Sequence, residues 1–518
     1  MATACHMRKE AGPLSKDIWR TCSKRWGKAV LMTDIGVCDP TLHGFHGPTG
    51  PSREPYHENG KYAEVDAAMM PRLTCYDGVG RIGGNKFLLE DRDARIFLDM
   101  GQAFDLLGKY FVDPWLIPRQ RFGLRDYFAL NLMPRLPGLY DEEKLLNSGM
   151  DGEPPAFDGV FISHCHFDHI YHIQFLHREI PVHLGETARI ITQTWDDTSP
   201  RMNLGPHDYR TFRTGSVIDV HGLEVEPIHV DHSVPGAYGF LIHTSEGTLA
   251  YTGDLRRHGP HGEMTDQFLE AVAEARPIAL LTEGTRMAPE ERRKEYSEEE
   301  VYEGAADIIR EAGDRLVVTT FYPRDIDRMR TFYMAAAETG REFIASSRTA
   351  FLLKALEADT GLQFPRVFRD FQAKAYFREM DKASRWEREL KEELGDRAVD
   401  ARYIHEHQGE VVLQLDFTHI TELVDIDPTS GSHFIHSKSE PFQEDDIQDA
   451  VLRAWLERFG LHYHQLHASG HVSRSELESI VKQLKPGKVI PIHTEHPELF
   501  VGLAEKVELP EVGRPMSL

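Results

Sequence analysis

Residues 161–170, FISHCHFDHI, decide how the chain is read. Three imidazoles and a carboxylate (His164, His166, Asp168 and His169) crowd one tight turn directly after the apolar strand DGVFIS. Alternate residues of an extended segment face the same side, so His164 and His166 are placed to bind one ion together. The chain then bends, and Asp168 and His169 are expected to face a second ion. Imidazole and carboxylate ligands suit zinc and also admit manganese. Cys165, between two of these histidines, should point the other way and pack rather than bind.

Three distant segments follow the same grammar of an apolar strand ending in a ligand. His232 stands in IHVDHSVPGAYGF, Asp254 ends LAYTGD, and His493 lies in VIPIHTEH. Each alone is ordinary, because a strand-end histidine is more often satisfied by hydrogen bonds. Together with the histidine-rich turn they point to a pocket for two divalent ions, with Asp254 positioned to bridge them. Two close cations would lower the pKa of a shared water and neutralise charge on the electrophile, and Asp168 would orient the resulting hydroxide. His229 and His243 are nearby competitors for the same role.

The rest of the composition bounds the function. At 518 residues the chain is long enough for two or three compact units, and 41% hydrophobic with 27% charged residues is ordinary for a globular protein. Five scattered cysteines without a CxxC pair exclude a disulfide framework. There is no apolar run of membrane-spanning length and no signal-peptide core, so a cytoplasmic enzyme is expected. The formal charge of −24 argues against a generally basic nucleic-acid binder but leaves room for a local basic channel.

Residues 1–70 read as an extension rich in Gly, Pro, His and Arg, and residues 101–155 as an aromatic-rich, partly helical insertion. From about Phe268 strands and helices alternate (PIALLTEG, SEEEVYEGAADIIREAG, RLVVTTF, DIDRMRTFYMAAAETG, REFIASS), which marks a parallel α/β layer.

SHCHFDH, DHSVPG and YTGD resemble successive motifs of the metallo-β-lactamase superfamily, and the later part resembles its β-CASP branch. Glu283 in TEGTR, His471 in LHASGH and His493 in PIHTEH are similar to that branch's three motifs, and the segment from LHASGH to PIHTEH is ribonuclease J-like. The resemblance implies an αββα sandwich (71–270 and 456–518) into which a β-CASP α/β domain (271–455) is inserted. It also implies that His164, His166 and His232 bind one ion, that Asp168, His169 and His493 bind the other, and that Asp254 bridges. His471 would contact the scissile phosphate or assist the leaving oxygen, and Glu283 would orient a neighbouring ligand or loop. Four features depart from the family: the extension, the 101–155 insertion, the sequence HEHQGEVVLQLD where relatives carry a TGSQGE-like loop, and an end soon after PIHTEH. The last leads us to expect no separate carboxy-terminal domain. Dimers are common in the family, so a homodimer is one arrangement the resemblance allows.

The expected substrate is RNA or single-stranded nucleic acid, held by basic and stacking side chains along a groove. Arg324, Arg348, Ser437 and Lys438 are the best-placed candidates, with Arg328, Arg119, Arg121 and Phe122 behind them; SSR and SKS follow strands, where open α/β sheets take ligands. The alternative is hydrolysis of a small ester, thioester or lactam, favoured by the acidic balance and by an insertion able to roof the cleft. A scaffold with a dead metal site is disfavoured because every expected ligand is present.

Overall fold

Alternation of side chains along short apolar strands builds two layers that share a core. The computed structural model describes residues 70–518, apart from 113–114, 200–202, 291–293, 363, 365, 371–372, 381 and 440–446; the amino-terminal extension thus lies outside the described residues. The first sheet contains β1 (Arg72–Asp77), β2 (Lys86–Asp91), β3 (Ala94–Leu98), β4 (Gly159–Ile162), β5 (Val182–Gly185), β6 (Tyr209–Phe212) and β20 (Pro515–Ser517). Its order is β20-β1-β2-β3-β4-β5-β6, antiparallel up to β3 and parallel beyond. The second sheet contains β7 (Ile218–Val220), β8 (Leu223–Val230), β9 (Ala237–Thr244), β10 (Gly247–Tyr251), β11 (Ala279–Thr282) and β19 (Val489–Pro491), in the order β19-β11-β10-β9-β8-β7.

Phe87, Leu89, Ile96, Leu98 and Phe161 of the first sheet interleave with Val225, Phe240, Ile242, Leu249, Tyr251 and Leu281 of the second, all buried. The alternate residues face outward onto helices: Leu241, Ala250 and Leu280 meet the helices Gly262–Ala275 and Arg474–Leu484 through Phe268, Val272, Leu477 and Ile480. Period-two alternation therefore gives each sheet two apolar faces, and the result is the αββα sandwich.

A third sheet is wholly parallel: β12 (Val317–Thr320), β13 (Glu342–Ser346), β14 (Lys374–Tyr376), β15 (Ala398–Val399), β16 (Val411–Gln414), β17 (His433–His436) and β18 (His462–Gln465), ordered β15-β14-β13-β16-β12-β17-β18. Val318, Ile344, Leu413 and Phe434 fill one face, while Val317, Ala345, Val412 and Ile435 fill the other against helices Glu298–Glu311 and Ile326–Glu338. This is the inserted α/β layer.

Sheet membership differs from the sequence grouping in two places. Strand β11, grouped with the α/β alternation after residue 271, pairs with β10 and β19 in the second sheet. Strand β18, grouped with the sandwich after residue 456, pairs with β17 in the third. The 101–155 insertion also divides. Leu124, Tyr127, Phe128, Leu132, Met133, Leu139 and Tyr140 belong to the main core, whereas Trp115 is 78% exposed. Gln408–Glu410, the remnant of the expected QGE loop, is a 3-10 turn before β16, where Gln408 bonds the backbone of Asp427 and Thr429.

Candidate metal centre

Strands β4, β8, β10, β11 and β19 are each followed within three residues by a polar group at one edge of the sandwich: His164, His232, Asp254, Glu283 and His493. The side chains converge. His164 Nε2 lies 3.0 Å from His166 Nδ1, which lies 3.1 Å from His232 Nε2. Asp254 Oδ2 is 3.6 Å from His164 Nε2 and 3.1 Å from His169 Nε2. Asp168 Oδ2 is 3.0 Å from His493 Nε2 and 3.7 Å from His169 Nε2. Two groups of ligand atoms result, His164/His166/His232/Asp254 and Asp168/His169/Asp254/His493, each with all atoms within 4.8 Å and with Asp254 common to both.

This donor set fits divalent metal. Tetrahedral zinc with bonds of 2.0–2.1 Å places its ligand atoms roughly 3.3 Å apart, close to the imidazole separations here. Asp254 Oδ1 is buried without a hydrogen-bond partner among the described residues, and such an atom is costly unless a cation meets it. Burial pushes the pKa of His166 down to about 3, with the Arg324 charge adding to it, and desolvation holds His164 and His232 well below the usual range. Neutral imidazole is the form that binds metal.

Outer partners set the tautomers. His232 Nδ1 donates to the Gly470 carbonyl (2.6 Å), His169 Nδ1 to Asp99 Oδ2 (2.7 Å) and His493 Nδ1 to Thr285 Oγ1 (2.7 Å), so each Nε2 lone pair faces inward. Thr285 Oγ1 in turn donates to Glu283 Oε2 (2.6 Å), and the same oxygen accepts from His471 Nδ1 (2.9 Å). Glu283 thereby touches both His471 and the partner of His493. Desolvation pulls the His471 pKa down, but the Glu283 and Asp254 charges outweigh it and hold it above the ordinary value.

Asp99 escaped the sequence reading. It is fully buried at the end of β3 and accepts from Ser163 N, Ser163 Oγ, His169 Nδ1 and Tyr251 OH. Its signal was available: FLDMG, like AYTGD, is an apolar strand followed by an aspartate and a glycine within two residues. Gly101 completes the support, because its backbone lies so close to the turn that an added Cβ would sit 1.6 Å from the Asp168 carbonyl oxygen.

Other expectations sort clearly. Cys165 is buried in the main core. His229 stacks on Tyr238 and His243 pairs with Glu226, both outside the cluster. Arg324 is held by the Cys165 carbonyl (2.7 Å) between the rings of Phe167 and Trp195, at 4.6 and 4.5 Å. It borders a cavity of about 230 Å³ with Arg348 and Lys438. Ser437 does not face this cavity. It is buried, donating to the Leu466 carbonyl (2.5 Å) and accepting from Arg328 (2.6 Å), because the wholly buried Arg328 recruits it into an ion-pair network with Glu298. Arg119 is paired with Asp126 and stacks on Phe122.

Residues 137–321 match the beta-lactamase superfamily domain, and residues 460–507 match the Zn-dependent metallo-hydrolase RNA specificity domain. Ribonuclease J of Sinorhizobium meliloti is 26% identical over 369 residues, covering 68% of this chain and 61% of that protein. Ribonuclease J of Pyrococcus abyssi is 25% identical over 461 residues, covering 84% and 93%. A structure of a protein of unknown function from Enterococcus faecalis V583 shares the fold, with a TM-score of 0.71 and 23% identity over 87% of this chain and all of that one. The chain spans about three-fifths of the Sinorhizobium relative. The chain thus carries a beta-lactamase superfamily domain over residues 137–321 and resembles the metallo-β-lactamase superfamily. It is similar to ribonuclease J in particular, and its donor groups at the sandwich edge suit a divalent metal.

Proposed function

We propose that the chain is a metal-dependent phosphodiesterase that hydrolyses RNA or single-stranded nucleic acid. The observation that carries this reading is the meeting of two ligand groups at Asp254 with the His471–Glu283 pair against them. In it, His164, His166 and His232 would hold one ion and Asp168, His169 and His493 a second, with Asp254 common to both groups. Zinc suits these donors best and manganese is the alternative. When bound there, divalent cations would supply an activated water at neutral pH and neutralise charge on the phosphate.

The chain's own groups do the rest. His471, whose pKa Glu283 holds above the ordinary value, faces the centre as the donor to the leaving oxygen, and Asp168 orients the attacking water. Arg324, Arg348 and Lys438 pair with backbone phosphates, while Trp195 and Phe417 in the same cavity offer faces for bases. The match to an RNA specificity domain and the names of the relatives support RNA over a small ester, thioester or lactam. Among the described residues no helix is long and apolar enough to cross a membrane. A cytoplasmic setting and a homodimer belong to the same reading.

The test incubates metal-loaded protein with end-labelled RNA and single-stranded DNA, comparing wild type with Asp168→Ala and His471→Ala. Cleavage by wild type and its loss in both variants is expected. No cleavage alongside robust ester hydrolysis would overturn the nuclease assignment.

A further inference from the structure

A second cavity, of about 220 Å³, lies beyond the carboxyl ends of β13, β14 and β16. Open parallel sheets take their ligands at this edge. Arg348 enters it after β13, Arg378 after β14 and His419 after β16, with Lys382 and Trp386 closing the far side. None of the cations Arg348, Arg378 and Lys382 has a carboxylate partner among the described residues; the Arg378 guanidinium reaches only Met380 Sδ, at 3.5 Å. Neighbouring cations behave differently: Lys374 pairs with Glu342, and Arg385 with Glu389.

The two carboxylates lining the cavity are engaged. Asp416 is 3.5 Å from Lys438, and Glu387 accepts from the hydroxyls of Ser384 and Ser347. Burial pushes the His419 pKa down to about 4, and Arg378 and Arg348 add to the effect, so both guanidinium charges act on one neutral ring. The helix Ser347–Leu356, capped by Ser346, begins at the cavity and adds the positive end of its dipole. Trp386, packed against Phe351 at 5.2 Å, lines the wall. In a chain with 83 acidic and 59 basic residues, three cations without a carboxylate partner among the described residues, around one aromatic-walled cavity, call for an anion.

We propose that this cavity binds the phosphate of a nucleotide through Arg348 and Arg378, with Lys382 at the rim and Trp386 against the base. It shares Thr198, Arg348 and Asp416 with the cavity that Arg324 borders, and so stands one cavity removed from the metal turn. A nucleotide of the substrate strand, remote from the cleaved bond, and a free mononucleotide present the same chemistry. The strand source rests on the nuclease reading; the affinity of the cavity does not.

The experiment titrates AMP, UMP and inorganic phosphate calorimetrically into the full chain carrying Asp168→Ala, alone and with Arg378→Gln, Arg378→Lys or Trp386→Leu. Saturable mononucleotide binding, weakened roughly 10-fold or more by Arg378→Gln and partly restored by Arg378→Lys, is expected. Trp386→Leu should weaken nucleotides and spare inorganic phosphate. Unchanged thermal midpoints exclude misfolding as the cause. Absence of saturable binding, or equal binding after Arg378→Gln, overturns the proposal.

On the otherwise wild-type chain, Arg378→Gln raising KM for long oligonucleotides but not short ones identifies the strand as the source. An unchanged KM, with added mononucleotide altering the rate only when Arg378 is present, identifies a free nucleotide. Arg378-dependent nucleotide binding by a chain that cleaves no nucleic acid would sink the nuclease reading and leave this site standing.

Discussion

Replacing Asp99 by Asn tests whether a buried carboxylate sets the tautomer of a metal ligand. Asp99 sits at φ 58°, a left-handed conformation that Asn tolerates, so the backbone should hold. Oδ1 accepts from Ser163 N at 2.7 Å, and Oδ2 accepts from Ser163 Oγ (2.8 Å), His169 Nδ1 (2.7 Å) and Tyr251 OH (2.5 Å). The backbone N–H cannot turn away, so the amide oxygen of the variant must stay on it. The amide nitrogen then faces three donors. The two hydroxyls can rotate, but the imidazole can relieve the clash only by moving its proton to Nε2. That nitrogen lies 3.1 Å from Asp254 Oδ2 and is the one that should face an ion.

Loss of such an outer partner costs roughly 10–100-fold in metal affinity, or about 1.4–2.7 kcal/mol. The lost charged hydrogen bonds cost folding stability of about 1.5–3 kcal/mol. Competition against a chromophoric chelator measures the first, and thermal unfolding of the metal-free chain measures the second. Metal affinity within twofold of wild type in D99N would refute the reasoning.

Four further outcomes follow from the same geometry. Arg324→Ala should raise KM for oligonucleotides roughly 10-fold with kcat little changed, read by steady-state cleavage; a pure kcat effect would contradict a phosphate-holding role. Gly101→Ala forces its Cβ against the Asp168 carbonyl and should abolish metal uptake with the far-ultraviolet circular dichroism retained, whereas normal uptake would show that the turn can yield. Burial holds His183, His229 and His419 near pKa 4, below the unfolded value of about 6.5. The unfolded chain therefore takes up protons first, and stability present above pH 6.5 is lost toward pH 4, by up to roughly 3 kcal/mol per histidine. A melting temperature flat across that window would disprove the burial argument. Glu283→Gln should lower the kinetic pKa of the His471-dependent step, seen as an acid-shifted rate profile, because it removes a charge that raises the His471 pKa.

The metal-site candidates were legible because ligand chemistry repeats one local pattern. His164, His232, Asp254 and His493 each follow a short apolar strand, and parallel strands in a sandwich bring such ends to one edge. Asp99 obeys the same pattern but lacks a neighbouring histidine, so nothing local set it apart from a turn aspartate. Strand allocation was not legible: ALLT of β11 is buried on both faces, as a strand of any parallel sheet would be. Ser437 looked like a strand-end binding residue, and only the burial of Arg328, whose partners come from three distant segments, explains why it turns inward. The stacking of Arg324 between Phe167 and Trp195 is likewise a contact across more than a hundred residues, invisible to any local pattern.

Elemental analysis of the purified chain, paired with Asp254→Asn, tests the central claim most directly. Two divalent ions per wild-type chain, both weakened by the loss of the one carboxylate that serves each ligand group, is the expected result. A catalytically active preparation without stoichiometric transition metal, or an Asp254→Asn chain that retains both ions at wild-type affinity, would contradict it.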